Sequence, residues 1–252
     1  WIKWTLPVIV PTVAPSSRPR PGRNSSVASD ADDVLWEMTE PQPLEVVVGP
    51  TASGKSALSL ALAKQLSGEI ISADSVQIYR YFDIGSGKLT EAERGGISHF
   101  GIDVLDPLDD IDASQFADLA SRWIEEIRGR GNVPIICGGT FLWIRALVYG
   151  LVPAPAKDEG IRESHREFAV VHGRAALHER LARVDKVSSE RLNPNDFVRV
   201  SRALEVFELT GVPLSEFHAK HGFKERRHEP IYVGIDHGSE LAGRIERRVG
   251  QM

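Results

Sequence analysis

Cysteine is all but missing from this sequence, with Cys137 the one thiol in 252 residues. A single thiol cannot make an intrachain disulfide, so a cross-linked secreted scaffold is excluded and a reducing, cytoplasmic setting fits. In the run PIICGG the residue reads as a small hydrophobe at a strand end. Long apolar stretches are missing too. The longest fall well short of the ~20 residues a bilayer demands, so no membrane span is expected. An excess of positive charge is also lacking: 30 Lys and Arg against 35 Asp and Glu leave −5. That balance argues against coating nucleic acid non-specifically, which depends on summed phosphate neutralisation.

What is present is the composition of a globular protein, 42% hydrophobic and 26% charged, in a length that holds one large or two modest domains. Residues 1–43 carry Pro, Ser, Arg and Asp clusters such as PSSRPRPGRNSS without a helical or strand period, and are expected to be disordered. Pro7 and Pro11 break the opening apolar patch, against a signal peptide. A βα pattern follows: strand candidates at 44–49, 69–74, 99–104, 133–137 and 231–235, with helical spacing at 55–66 and 113–128. Strands alternating with helices predict an α/β fold with a parallel sheet.

Between Pro153 and His228 the strand signals vanish, and Leu177, Leu181 and Val184, then Val200, Ala203, Leu204 and Phe207, recur at helical spacing. This predicts a helical insertion at 156–228 within a core made of 44–155 plus 229–252. Residues 157–228 carry 14 basic and 12 acidic side chains, +2 there against −7 elsewhere, and six of the eight histidines. A solvated helical surface of mixed charge accounts for that equally well, so the segregation permits a polyanion-facing module without requiring one.

The strongest motif is GPTASGKS, Gly49–Pro50–Thr51–Ala52–Ser53–Gly54–Lys55–Ser56, a match to G-x-x-x-x-G-K-[ST] between a strand and a helix. A chance match in a chain of this length is about one in a hundred before that context is imposed. Glycines let successive amide N–H groups face one concavity, and the helix N-terminus adds partial positive charge, so a diphosphate fits there. Lys55 is placed to reach outer phosphate oxygens, and the Ser56 hydroxyl to complete the shell of a Mg2+ ion. Nucleotide-binding and ATP-binding enzymes, kinases among them, share the loop with any enzyme whose leaving group is diphosphate, so the loop alone does not name a reaction.

Asp74 ends the next strand and is expected on the same sheet edge as the loop, where its carboxylate can accept a proton or hold metal; an Asp-Ser pair is as often a turn or helix cap. Gly138–Thr140 follows another strand end, with a hydroxyl at Thr140 that suits a ligand or simply a turn. Lys88, in DIGSGK, reads by default as a solvated loop lysine, and Arg244 and Arg248 as surface charges one helical turn apart.

Taken in order, GPTASGKS, SADSVQIYRYFDIGSGK, HFGIDVLDP, VPIICGGTFLWIRAL and LNPNDFVRVSRALEVFELTG closely resemble the tRNA dimethylallyltransferase (tRNA isopentenyltransferase) family, from about Leu44 to Met252. The chain departs from its pattern at Ser86 and Gly87, where threonine and alanine are usual, and at Phe100–Gly101. The pattern also continues beyond RIERR with further helices, so a C-terminally truncated member is expected. The resemblance implies a P-loop NTPase-like parallel sheet flanked by helices, with a helical insertion domain.

It implies, too, transfer of a dimethylallyl group from its diphosphate to the exocyclic amine of the adenosine adjacent to the anticodon, in tRNAs reading codons that begin with U. Asp74 then matches the general base, while Lys55 and Thr140 stabilise the leaving group. The loop residues, with Arg244 and Arg248, grip the diphosphate, and Ser56 meets magnesium. Asp74, Ser75, Val76, Gln77 and Thr140, with Val198, Arg199, Val200, Ser201 and Arg202, match tRNA-contact segments. The partners implied are the tRNA anticodon stem-loop and dimethylallyl diphosphate, with no membrane, no obligate protein partner and a monomeric state. Alternatives left open are an adenylate isopentenyltransferase acting on free nucleotide, a P-loop small-molecule kinase, and an inactive tRNA-binding fragment.

Overall fold

The structure, a computed structural model, describes residues 43–221 and 226–250; the expected disorder of 1–43 therefore falls almost wholly outside the described residues. The chain divides into two compact units, one comprising the chain up to Val148 and from Arg227 onward, the other Tyr149–Arg226.

The first unit is built on a sheet of β1 (Leu44–Val48), β2 (Gly68–Ala73), β3 (His99–Phe100), β4 (Val133–Gly138) and β5 (Pro230–Gly234). Their order is β3-β2-β4-β1-β5 and every neighbouring pair is parallel. A sheet covered on both faces needs apolar side chains on both, which is why its strands read as unbroken runs: Val46, Val47, Ile71, Ile135 and Ile136 are all 0% exposed. Helix α1 (Lys55–Leu66) packs small residues, Ser59 and Ala63, onto this surface. The next long helix (Ala113–Gly129) begins at a capping box of Asp112 and Gln115. It buries Phe116, Ala117, Ala120, Ile124 and Ile127, the spacing of one helical face.

Three local expectations change. The strand expected at 99–104 stops after Phe100, because the chain turns into left-handed backbone at Gly101 (φ 75°) and Asp103 (φ 56°), leaving two residues to pair with β2. Two helices also lacked a sequence assignment. In chain order the short one is α2 (Glu91–Arg94), the Asp112-capped helix is α3, and α4 (Phe141–Tyr149) follows β4. Helix α4 escapes periodicity because FLWIRALVY is apolar on nearly every side; Phe116 of α3 stacks on its Trp143 at 4.3 Å.

The second unit is helical: α5 (Glu159–His172), α6 (Arg174–Val184), α7 (Lys186–Arg191), α8 (Phe197–Thr210) and α9 (Leu214–His221). Its core is Leu177, Leu181, Val200, Ala203 and Leu204, with Phe168, Val184 and Phe197 against it. Buried polar side chains here are fully engaged. Glu205, 0% exposed, accepts bonds from Arg162 at 2.8 and 3.0 Å, from Arg202 at 2.5 Å and from the Asp158 amide at 2.7 Å. Helix α10 (Leu241–Val249), after a 3-10 turn at Gly238–Glu240, returns to the first unit.

Candidate active site

Parallel strands direct their carboxyl ends to one edge, so the segments after β1, β2, β4 and β5 meet there. After β1, the loop enters α1 through Gly54 in left-handed backbone (φ 88°), with no side-chain cap and no acidic residue in the first turn. The first helical bond runs from the Leu58 amide to the Gly54 carbonyl at 3.1 Å, so the amides of Lys55, Ser56 and Ala57 are open to an anion, while that of Ser53 already donates to the Pro50 carbonyl at 3.3 Å. Lys55 bends back to donate from Nζ to the Pro50 carbonyl at 2.8 Å. Burial pushes its pKa down; Cys137 and Asp74 pull it back up, and Arg248 pushes it down further. An arriving phosphate would favour the charged form.

After β2, Asp74 does two things at once. Its Oδ1 accepts from the amides of Val76 (2.9 Å) and Gln77 (3.2 Å), the turn an Asp-Ser pair commonly makes, while the side chain still lines a cavity shared with Lys55 and Ser56. After β4, the Thr140 hydroxyl accepts from the Ser75 amide at 3.1 Å and donates to Ser75 Oγ at 3.4 Å, binding the two strand ends together. The approach is close enough that a Cβ on Gly138 would stand 2.2 Å from the Ala73 carbonyl oxygen, so a larger residue there would spread the site. Gln77 accepts from Ser72 Oγ at 3.0 Å and donates to the Ser86 carbonyl at 3.1 Å, fixing the far wall.

After β5, α10 brings in cations. Arg244 Nε donates to the Ala52 carbonyl at 3.0 Å, leaving its two terminal nitrogens for a ligand. Arg248 lines the cavity, crossing so near Gly87 (φ 68°) that a Cβ there would lie 2.0 Å from its Nη2. The departure from alanine at this position thus makes room for a guanidinium. The cavity holds about 250 Å³, and Asp74 is the acidic side chain among its lining residues.

Two placements were not expected. Lys88 is not a solvated loop lysine: its side chain is 5% exposed and Nζ donates to the Tyr79 carbonyl (2.7 Å), Asp83 (3.0 Å) and Asp103 (2.6 Å). Burial alone would lower its pKa, but the bonds it donates to Asp103 and Asp83 outweigh that and hold it above the usual value. His237 Nε2 sits 2.9 Å from the Ser53 carbonyl; a carbonyl only accepts, so Nε2 carries the hydrogen and clasps the phosphate loop. The signal for His237 was available, since it follows a predicted strand that ends on the ligand edge.

In the helical unit, the candidates at 198–202 separate. Val198 and Arg199 are exposed, and Arg199 donates to Asp196 at 2.8 Å on its own helix. Val200 and Ser201 are 1% and 3% exposed, so their side chains pack the core and cannot reach an external ligand. Arg202 is tied to Glu205 and donates to the Pro155 carbonyl at 2.6 Å.

Among the described residues no group of three His, Cys, Asp or Glu could hold a metal ion, and no helix is long and apolar enough to cross a membrane. A cation at this site would draw its oxygens from Ser56 and the ligand's own phosphates, a hard, mostly non-protein shell of the kind magnesium accepts.

The family model described as IPP transferase matches residues 77–252. The tRNA dimethylallyltransferase of Sorangium cellulosum is 56% identical over 218 residues, 85% of this chain and 69% of that protein. The Anaeromyxobacter dehalogenans tRNA dimethylallyltransferase is 47% identical over 210 residues, 83% of this chain and 68% of its own. Among solved structures, the full-length tRNA isopentenylpyrophosphate transferase from Bacillus halodurans superposes with a TM-score of 0.53 at 36% identity, covering 83% of this chain and 65% of that one. A eukaryotic dimethylallyltransferase acting on tRNA gives a TM-score of 0.62 at 25% identity, over 83% of this chain and 53% of that one. The chain thus spans somewhat under two thirds to just over two thirds of the bacterial proteins and about half of the eukaryotic one.

Proposed function

The chain belongs to the IPP transferase family of tRNA dimethylallyltransferases, and from that footing we propose that it moves a dimethylallyl group from dimethylallyl diphosphate to the exocyclic amine of the adenosine adjacent to the tRNA anticodon. The observation that carries the reading is that one cavity is lined by Lys55, Ser56, Asp74 and Arg248 together. A phosphate grip and a lone carboxylate are what alkyl transfer with diphosphate as leaving group calls for.

An adenine amine is a poor nucleophile because its lone pair is delocalised into the ring. Asp74 takes its proton as the C–N bond forms at the allylic carbon and the C–O bond to diphosphate breaks; a well-placed base contributes ~100-fold or more. Two peptide amides hold Oδ1, and among the described residues Oδ2 has no hydrogen-bond partner, so that oxygen is free to face the amine. The open amides at the start of α1, with the Lys55, Arg244 and Arg248 side chains, meet the charge appearing on the diphosphate in a site already organised for it. Thr140 holds the strand ends so that base and loop stay in register. Magnesium at Ser56 would neutralise part of the diphosphate charge.

Adenine reaches the cavity only if drawn out of its stack. Ser75, Val76 and Gln77 stand beside the base, and Arg199 offers a phosphate contact from the helical unit. Dimethylallyl diphosphate and the tRNA anticodon stem-loop are the partners of this reading, magnesium its metal and the cytoplasm its setting.

The test is incubation of the chain with magnesium, labelled dimethylallyl diphosphate and unmodified tRNA, with free AMP as a parallel acceptor and ATP as a donor control. Label is expected in tRNA. Label in AMP would replace this reading with a nucleotide prenyltransferase, and phosphate transfer from ATP with a kinase.

A further inference from the structure

Beside the catalytic cavity, and sharing Ala52, Gly85, Gly87, Leu89 and Arg248 with it, lies an open groove of about 730 Å³. One side is basic: Arg244, Arg247 and Arg248 of α10. Arg247 makes no hydrogen bond or ion pair among the described residues. The other side is the loop between β2 and α2, whose residues Tyr81, Phe82 and Ile84 are 75%, 45% and 90% exposed, with Ile84 in the groove itself.

Single exposed hydrophobics need no explanation, but three within four positions do when the loop carrying them is held fast. Lys88 ties down Tyr79 and Asp83, and Gln77 ties Ser86. Arg80 bonds through its amide to Leu105 at 2.8 Å and through its side chain to the carbonyls of Asp103 and Val104. Phe82 rests on Tyr79 at 5.9 Å. Between these anchors Tyr81 sits in left-handed backbone, φ 67°, a conformation a non-glycine residue keeps only where its surroundings impose it. The loop thus presents an aromatic ring to solvent three positions before Ile84, which lines the groove together with Arg244, Arg247 and Arg248.

Exposed aromatic faces on a loop that borders a basic groove suit single-stranded nucleic acid, whose bases stack and whose phosphates seek charge. We infer that Tyr81, backed by Phe82 and Ile84, stacks the unpaired nucleotide flanking the target adenosine, and that Arg247 takes that nucleotide's phosphate. The inference rests on the tRNA reading above and extends it: drawing one adenine into the cavity unstacks its neighbour, which then needs a new face to stack on.

Tyr81→Gly tests this cleanly, because glycine suits φ 67° and the variant is expected to fold at least as well as the parent. With an anticodon stem-loop RNA carrying 2-aminopurine at the flanking position, Tyr81→Gly should bind about tenfold more weakly, as loss of one base stack predicts. Its fluorescence should stay unquenched on binding, and Tyr81→Phe should behave as the parent. Arg247→Ala should make the salt dependence shallower by about 0.7 in log–log slope. Binding of dimethylallyl diphosphate should be unchanged in all three. Equal RNA affinity for Tyr81→Gly and parent would overturn the inference, as would loss of diphosphate binding in that variant, which would make Tyr81 a prop for the cavity wall. A parent chain that binds no stem-loop at all would overturn the tRNA reading and this inference with it.

Discussion

Asp74 shows how much one side chain can be asked to do. One oxygen closes a turn on the amides of Val76 and Gln77 and thereby fixes the direction of the other. Asparagine can accept the same two bonds but cannot take a proton. Asp74→Asn is therefore expected to melt within ~0.5 kcal/mol of the parent and to keep its affinity for tRNA, while single-turnover prenyl transfer falls at least ~100-fold. Near-parental turnover would remove Asp74 as the base. Thr140→Val removes the hydroxyl that joins the ends of β2 and β4; transfer should slow by about tenfold to a hundredfold if organised polar groups carry much of the catalysis. The phosphate loop and Asp74 were legible because their chemistry depends on local order along the chain. Lys88 was not, since its carboxylate partners Asp83 and Asp103 are 5 and 15 positions away and only the folded loops bring them to one nitrogen.

Helix α8 is the element on which the helical unit turns, and Glu205 is its centre. Burial would raise this carboxyl's pKa, but Arg162, Arg202 and the Asp158 amide outweigh that and hold it below the usual range. Since the folded-state value is depressed, the stabilisation is present above the ordinary carboxylate value and is lost as pH falls through the folded one. Glu205→Gln, which leaves two arginines without their anion, should cost about 3 kcal/mol or more. In chemical denaturation the variant should also lose less stability than the parent on acidification, the remaining loss coming from other carboxylates held low, such as Glu69 and Asp185; a variant as stable as the parent at neutral pH would argue that the network is idle. The loop between β2 and α2 has the opposite sign. Lys88 has a raised value, so its contribution is intact below the ordinary lysine range and disappears as pH climbs through the folded one. At this scale periodicity found α1, α3 and the strands. It missed α4, apolar all round, and overextended β3, where left-handed residues end the pairing.

For the whole molecule, a net charge of −5 means that any grip on RNA must come from a few placed cations. Affinity for tRNA should therefore fall with salt, and removing one phosphate contact should flatten the log–log slope by ~0.7 to 0.9. Titration of Arg199→Ala across salt concentrations checks this; an unaltered slope would take Arg199 out of the interface. The split of Val198–Arg202 into exposed and buried side chains could not be read from the motif, because neighbours on a helix point in different directions and the core selects among them. Sequence by itself determined the α/β class, the phosphate loop and the family, since these follow from residue types at fixed spacing and from order along the chain. Tertiary structure alone decided that Arg248 fits over Gly87, that His237 clasps the loop from β5, and that Ile84 shares a groove with Arg247. Those contacts join segments far apart in sequence, and their distances exist only once the parallel sheet has brought its carboxyl ends to one edge.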